Sequence, residues 1–287
     1  MGKIYGEKIM RQNVLVVGLG EVGMALYEII KESEEYEVYG LDLAINLNQK
    51  IPNKIDIMHI CYPYVNCIFV KSVIQYVGLY NPELLIVNST IKPRTISEIA
   101  KKCQCKIAFS PIFGTHRGKE YFKDEIKFYG KFVGGIDDES TKFTMEHFNK
   151  VGIFTIGTKS PLEAEIIKLY CTTYYGMIVA LSQEFHRFSR SMGADYEDVI
   201  KGIIYLHSKA FNKPPAYPDA IGGHCVLPNI DIILSCYDSE LIKSLLKSND
   251  KRKEEIKDPN IRIEMERTKV IVDKFWKDLH DKNRKGK

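Results

Sequence analysis

Between Asn13 and about Ile156 the chain alternates short apolar runs with stretches whose apolar residues recur at helical spacing. The runs are NVLVVG, YEVYGLD, IDIMHIC, ELLIVNST, KIAFSP, GKFVGGI and IFTIG. A short run that is apolar on both faces belongs to a strand covered on both sides, and the helical stretches between the runs supply the cover. The pattern predicts an α/β domain with a doubly wound parallel sheet over residues 1–158.

After GTKSPLEAE the period changes. A long helix is expected from Leu162 to about Met192, with Pro161 where a first helical turn accepts proline and Gly193 as its stop. DYEDVIKGIIYLHS predicts another helix, NKPPAYPDAIGGHC a loop, and the segment from about Ile230 to Leu246 a third helix. A second, all-helical domain over 159–246 follows. From 247 to 287, charges of both signs surround a sparse apolar spacing of Ile261, Met265 and Val272, the pattern of an exposed or partner-packed helix. The apolar residues of the long helix cover more than the one face a single neighbour needs, which predicts a homodimer built on it.

Composition narrows the function classes. At 287 residues, 45% hydrophobic and 27% charged, the chain is an ordinary globular sequence. Its net charge of +4, from 41 basic and 37 acidic residues, is too weak to imply nucleic acid. No apolar run approaches the roughly 18 residues of a membrane span, and MGKIYGEKIMRQ has no hydrophobic signal core, so a cytoplasmic protein is expected. Seven cysteines without a CxxC pair fit neither a disulfide framework nor a zinc site, and no metal is expected. The Cys103-Gln104-Cys105 pair is by itself a weak metal signal.

The most informative local motif is VLVVGLGEVGMALYEII, where Gly18, Gly20 and Gly23 form GxGxxG directly after a strand and at the start of a helix. Gly18 permits the tight turn, Gly20 lets a pyrophosphate approach the backbone, and Gly23 lets helix and strand pack closely. Glu21 and Val22 belong to the same candidate cofactor turn. The second strand ends in Asp42, where a carboxylate can hold the adenosine ribose hydroxyls and repels a 2′-phosphate; with Leu43 and Ala44 following and no adjacent arginine, NAD is expected over NADP. A similar turn also serves S-adenosylmethionine in methyltransferases.

Taken together, the glycine fingerprint, DIMHICYPY after the third strand, VNSTIKPRT after the fourth, SPIFG after the fifth, EAEIIKLYCTTYYG in the long helix and GGHC late in the chain resemble the UDP-glucose/GDP-mannose dehydrogenase family from about Asn13 to Cys236. That resemblance implies a Rossmann domain followed by a helical domain. It also implies oxidation of a sugar C6 alcohol to a carboxylate in two hydride transfers, with the intermediate held on a cysteine as a thiohemiacetal and then a thioester. The matching cysteine is Cys225, whose thiolate needs His224, Lys168 or a helix N-terminus to lower its pKa. Lys168 matches the lysine that stabilises the oxyanion, and Thr172 lies one turn along the same helix face. Tyr62, Pro63, Ser89 and Thr90 fall at the cofactor, while Gly222, Gly223 and His224 fall at the substrate.

Departures from the family pattern are equally specific. Ile112 stands where the family has a glutamate, Thr172 where it has asparagine, and Asn229 where it has an aspartate. Groups that exchange protons are thus replaced by groups that cannot, which bears on thioester hydrolysis. His116 and Arg117 lie farther along the fifth-strand loop, as a candidate base and anion clamp. The family also carries a third, C-terminal domain that binds the nucleotide, whereas this sequence runs into a charged helix. The expected substrate is therefore a small-molecule alcohol, with sugars, sugar nucleotides and smaller anionic hydroxy compounds all open. Two alternatives stand beside the dehydrogenase: a catalytically reduced NAD-binding regulatory protein, and an S-adenosylmethionine-dependent transferase on the same fold.

Overall fold

The computed structural model describes residues 11–65, 68–114, 119–210, 218–222 and 226–285. The chain divides into two compact units, Met1–Lys168 and Leu169–Lys287. All seven apolar runs form strands: β1 (Gln12–Val17), β2 (Tyr36–Leu41), β3 (Ile57–Ile60), β4 (Leu84–Val87), β5 (Lys106–Phe109), β6 (Lys131–Gly135) and β7 (Thr155–Gly157). They make one sheet in the order β2-β1-β3-β4-β5-β6-β7. Alternation decides which side each residue serves. Val14 and Val16 face one core with α1 (Glu21–Glu32), α4 (Lys119–Tyr129) and α5 (Asp138–Lys150), while Leu15 and Val17 face the other with α2 (Phe69–Tyr80) and α3 (Thr95–Ala100).

Strand order reverses at β1, whose neighbours are β2 on one side and β3 on the other. The crevice beyond the carboxyl ends of β1 and β3 is the topological switch point where open α/β sheets take ligands. The last two strands depart from the expected parallel arrangement, since β6 and β7 are parallel to each other and run against the other five. β6 runs antiparallel to β5, with Phe109 opposite Gly134, so its first residue, Lys131, lies at the same end of the sheet as the carboxyl ends of β4 and β5.

The long helix, α6 (Pro161–Ser191), begins in the first unit and continues in the second, and Gly193 follows it at φ +75°. The second unit adds α7 (Tyr196–Ala210), α8 (Val226–Leu234), α9 (Glu240–Glu255) and α10 (Pro259–Lys285). Where one helix was expected over 230–246, there are two. Ser239 caps the second, its Oγ accepting from the Ile242 N–H at 3.4 Å. Within this unit Gly176 of α6 has no room for a side chain, because a Cβ there would meet Val226 Cγ1 at 2.8 Å. The charged tail also contributes to the core, as Val272 of α10 is buried with Tyr196 and Ile200 of α7. Among the described residues no helix is long and apolar enough to cross a membrane.

Candidate active site

The glycine turn is built as its spacing requires. Gly18 has φ +89°, and a Cβ on it would sit 2.7 Å from the Tyr62 backbone nitrogen. A Cβ on Gly23 would lie 1.8 Å from the Gly18 carbonyl oxygen, so α1 can meet β1 this closely only without a side chain there. Gly20 is different: a Cβ on it would meet nothing within 4 Å, and no side chain caps the first turn of α1. Open space in front of uncapped helix N–H groups is the cradle that a pyrophosphate fills. Glu21 is exposed and Val22 half-buried at that same turn.

Asp42 holds the turn from the adjacent strand end. Its Oδ2 accepts from the Leu19 N–H at 2.7 Å, and its Oδ1 accepts from the Ala44 and Ile45 N–H groups at 2.8 and 3.2 Å. The Leu19 hydrogen bond, then that of Ala44, keeps the carboxyl below its ordinary range, so the group is an anion at neutral pH. Beyond β3 and β4, Ser89 donates its hydroxyl to the Tyr62 carbonyl at 2.6 Å, tying the two strand ends together. Tyr62 donates to Ser72 Oγ at 3.1 Å, Pro63 is exposed, and Thr90 is half-buried. These residues converge on the switch point and fit a dinucleotide.

Lys168 is half-buried near the start of α6; its Nζ donates to the Ile112 carbonyl at 2.7 Å and stands 5.1 Å from the Phe113 ring centroid. Ile112 itself is buried in the sheet core, so what the fifth-strand loop offers Lys168 is a backbone carbonyl. One turn earlier on α6, Glu165 accepts from the Arg94 N–H at 2.7 Å and the Ile96 N–H at 3.3 Å, with Arg94 in the left-handed region at φ +75°. Burial pushes this carboxyl up to about 7 against the hydrogen bonds that favour its anion.

In the second unit Asn229, which is buried, donates through Nδ2 to Thr172 Oγ1 at 3.0 Å, and Thr172 donates to the Leu169 carbonyl at 3.1 Å. Two of the three residues that depart from the pattern of the resembled family are thus hydrogen-bonded to each other. Gly222 is exposed with open space around it. Gly223, His224, Cys225, His116 and Arg117 lie outside the described residues.

Sequence inspection missed a buried polar chain below the carboxyl ends of β4 and β5. Lys131 Nζ donates to Asn88 Oδ1 at 2.8 Å and to the Ser110 carbonyl at 2.6 Å. Asn88 Nδ2 lies 3.2 Å from His59 Nδ1, and His59 Nε2 lies 2.9 Å from His147 Nε2. A polar residue opening or closing an apolar run was the available signal, in GKFVGG and IVNST, but it does not say which polar groups meet. Among the described residues no group of three or more His, Cys, Asp or Glu side chains could hold a metal, and the five described cysteines are free.

Comparison with known proteins agrees with this geometry. Residues 162–251 match the model of the UDP-glucose/GDP-mannose dehydrogenase family, central domain. A UDP-N-acetyl-D-mannosamine dehydrogenase of Methanocaldococcus jannaschii is 24% identical over 83% of this chain and 65% of its own length. A UDP-glucose 6-dehydrogenase of Campylobacter jejuni is 26% identical over 86% of this chain and 76% of its own. The chain thus spans about two-thirds of the length of the archaeal relative. Among solved structures, a UDP-D-ManNAc dehydrogenase from Pyrococcus horikoshii superposes with a TM-score of 0.72 at 18% identity, covering 87% of this chain and 72% of that one. A 3-hydroxyisobutyrate dehydrogenase from Mycobacterium tuberculosis superposes with a TM-score of 0.63 at 13% identity, covering 87% and 95%. These likenesses establish a Rossmann-type dehydrogenase fold.

Proposed function

We propose that the chain is a member of the UDP-glucose/GDP-mannose dehydrogenase family, whose central-domain model matches residues 162–251, and an NAD-dependent oxidoreductase acting on an alcohol of a sugar nucleotide. The observation that carries this is the turn at Gly18–Gly23, open in front of Gly20 and anchored by the ionised Asp42. Bound there, NAD supplies the hydride acceptor. Asp42 takes the ribose hydroxyls and disfavours a 2′-phosphate. Ser89 and Thr90 border the nicotinamide end, and Lys168, a donor at the Ile112 carbonyl, stabilises the alkoxide oxygen as the C–H bond breaks.

Cys225 is the proposed nucleophile for a second oxidation. Its thiolate adds to the aldehyde carbon, and transfer of a second hydride, to a second NAD, leaves a thioester that water cleaves to the carboxylate and the free thiol. Ile112 is buried and Asn229 is engaged with Thr172, so neither supplies a base for that water. Slow thioester hydrolysis follows.

The same proposal includes a homodimer on α6. Tyr170, Tyr174, Leu181, Phe185 and Phe188 are all exposed, at intervals of three, four and seven residues that repeat one helix face. The free thiols fit the cytoplasmic location expected from the sequence.

Calorimetric titration with NAD, NADP and S-adenosylmethionine, followed by NADH formation with UDP-sugars, tests the assignment. NAD is expected to bind at least tenfold more tightly than NADP, with no S-adenosylmethionine binding, and NADH is expected to form with at least one UDP-sugar. Equal NAD and NADP affinities would remove the role given to Asp42. The replacement of proton-exchanging groups by Ile112 and Asn229 favours one other reading, an NAD-binding protein of reduced catalysis. Tight NAD binding without NADH from any hydroxy compound would decide for it.

A further inference from the structure

Lys131 is 1% exposed, and among the described residues no carboxylate forms an ion pair with it. A buried ammonium without a counter-ion is costly, whereas a neutral amine has two N–H donors, the number used here by Asn88 Oδ1 and the Ser110 carbonyl. The Phe148 ring centroid lies 4.7 Å from the nitrogen. The rest of the chain can be written with neutral groups in one direction, ending at His147, whose Nδ1 is buried with no hydrogen-bond partner among the described residues. Asn88 Nδ2 donates to His59 Nδ1, which places the His59 proton on Nε2, where it donates to His147 Nε2; the assignment follows from the hydrogen-bond pattern.

The two acceptors of Lys131 occupy informative positions. Asn88 immediately precedes Ser89 and Thr90, and Ser110 lies two residues before Ile112, whose carbonyl receives Lys168. Only the antiparallel course of β6 brings the residue at its start to these strand ends. We infer that Lys131 is a positioning residue, its amine clamping the carboxyl ends of β4 and β5 so that the Ser89–Thr90 turn and the Ile112 carbonyl, and through it Lys168, stand at the spacing the reaction needs. This rests on the dehydrogenase assignment for its functional meaning, but the clamp itself does not. The titratable groups acting on Lys131 are Cys61 at the end of β3 and Lys168 on α6, and Lys131 in turn acts on the two histidines, His59 of β3 and His147 of α5. Burial first, with the neighbouring Lys168 charge, keeps its pKa well below the usual lysine range. A neutral Lys131 adds no repulsion to the Lys168 ammonium.

The test compares the full-length chain with Lys131→Met by amide hydrogen exchange and by kinetics with NAD and a UDP-sugar. Exchange is expected to rise at least tenfold in segments 88–92 and 110–113, while strands 12–17 and 36–41 stay within twofold. In turnover, kcat is expected to fall at least tenfold with KM for NAD within threefold. A uniform rise in exchange, or none, would overturn the clamp. Altered exchange with unchanged kcat would overturn its part in the reaction. If Lys131→Met does not fold, Asn88→Leu removes one tether and should loosen 88–92 but not 110–113; equal loosening of both would refute the two-point clamp. If the wild-type chain shows no turnover, the dehydrogenase assignment fails while the exchange data still decide the clamp.

Discussion

Gly20→Ala and Gly23→Ala place the same methyl group at neighbouring positions of one turn, yet the structure demands opposite outcomes. At Gly23 the new Cβ lies 1.8 Å from the Gly18 carbonyl oxygen, about 1.7 Å short of the ~3.5 Å of a normal non-bonded contact. The obstructing atom is backbone and cannot rotate away, so the cost sits at or above the upper end of overpacking, about 3 kcal/mol. For a unit of this size that lowers Tm by about 6–12 °C. At Gly20 the Cβ enters open space, and φ −61°, ψ −171° is an ordinary conformation for alanine. The unfolded-state entropy gain of about 0.4–1 kcal/mol and the poorer helix cap of similar size nearly cancel, leaving Tm within about 2 °C. The methyl would occupy the pyrophosphate's approach, so NAD affinity should fall at least tenfold, about 1.4 kcal/mol. Differential scanning calorimetry and isothermal titration on both variants measure the two effects separately. Wild-type NAD affinity in a stable Gly20→Ala protein would refute the placement of the pyrophosphate, and a stable Gly23→Ala protein would refute the close contact of α1 with the turn.

Burial holds His147 at about 3, from an ordinary 6.5, and shifts His59 and Lys131 in the same direction. The unfolded chain takes up the histidine protons first, so stability falls as pH drops from about 6.5 toward 3 for His147, by up to about 1.4 kcal/mol per pH unit, while the Lys131 contribution begins to fall already below the ordinary lysine range. Urea unfolding at pH 5, 6 and 7 should show His147→Phe with about one proton less taken up on unfolding near pH 5; an unchanged pH slope would mean His147 titrates normally in the fold. Replacing Phe185 and Phe188 together by glutamate should turn a wild-type dimer into a monomer in light scattering at micromolar concentration, and a monomeric wild type would count against the α6 interface. Cys225 should react with iodoacetamide faster than the other six cysteines and be protected by NAD. Cys225→Ser should stop oxidation at the aldehyde, and carboxylate production by that variant would exclude the thioester route.

Much of the first unit is local and therefore legible in the chain. Seven apolar runs became seven strands because a doubly covered strand needs apolar residues on both faces, and GxGxxG became the turn because glycine alone accepts the positive φ together with the close Tyr62 backbone at Gly18, and the contact at Gly23. The role of Ile112 was legible only in part. Its identity showed that no proton could be exchanged there, whereas its burial and the use of its carbonyl by Lys168 depend on how the fifth-strand loop meets α6. The polar chain of Lys131, Asn88, His59 and His147 was invisible in the sequence, since residues up to 88 positions apart have no local signature. Antiparallel pairing of β6 brought Lys131 to that end of the sheet, a choice made by packing and not by the pattern of β6, because an apolar strand covered on both sides reads the same in either direction.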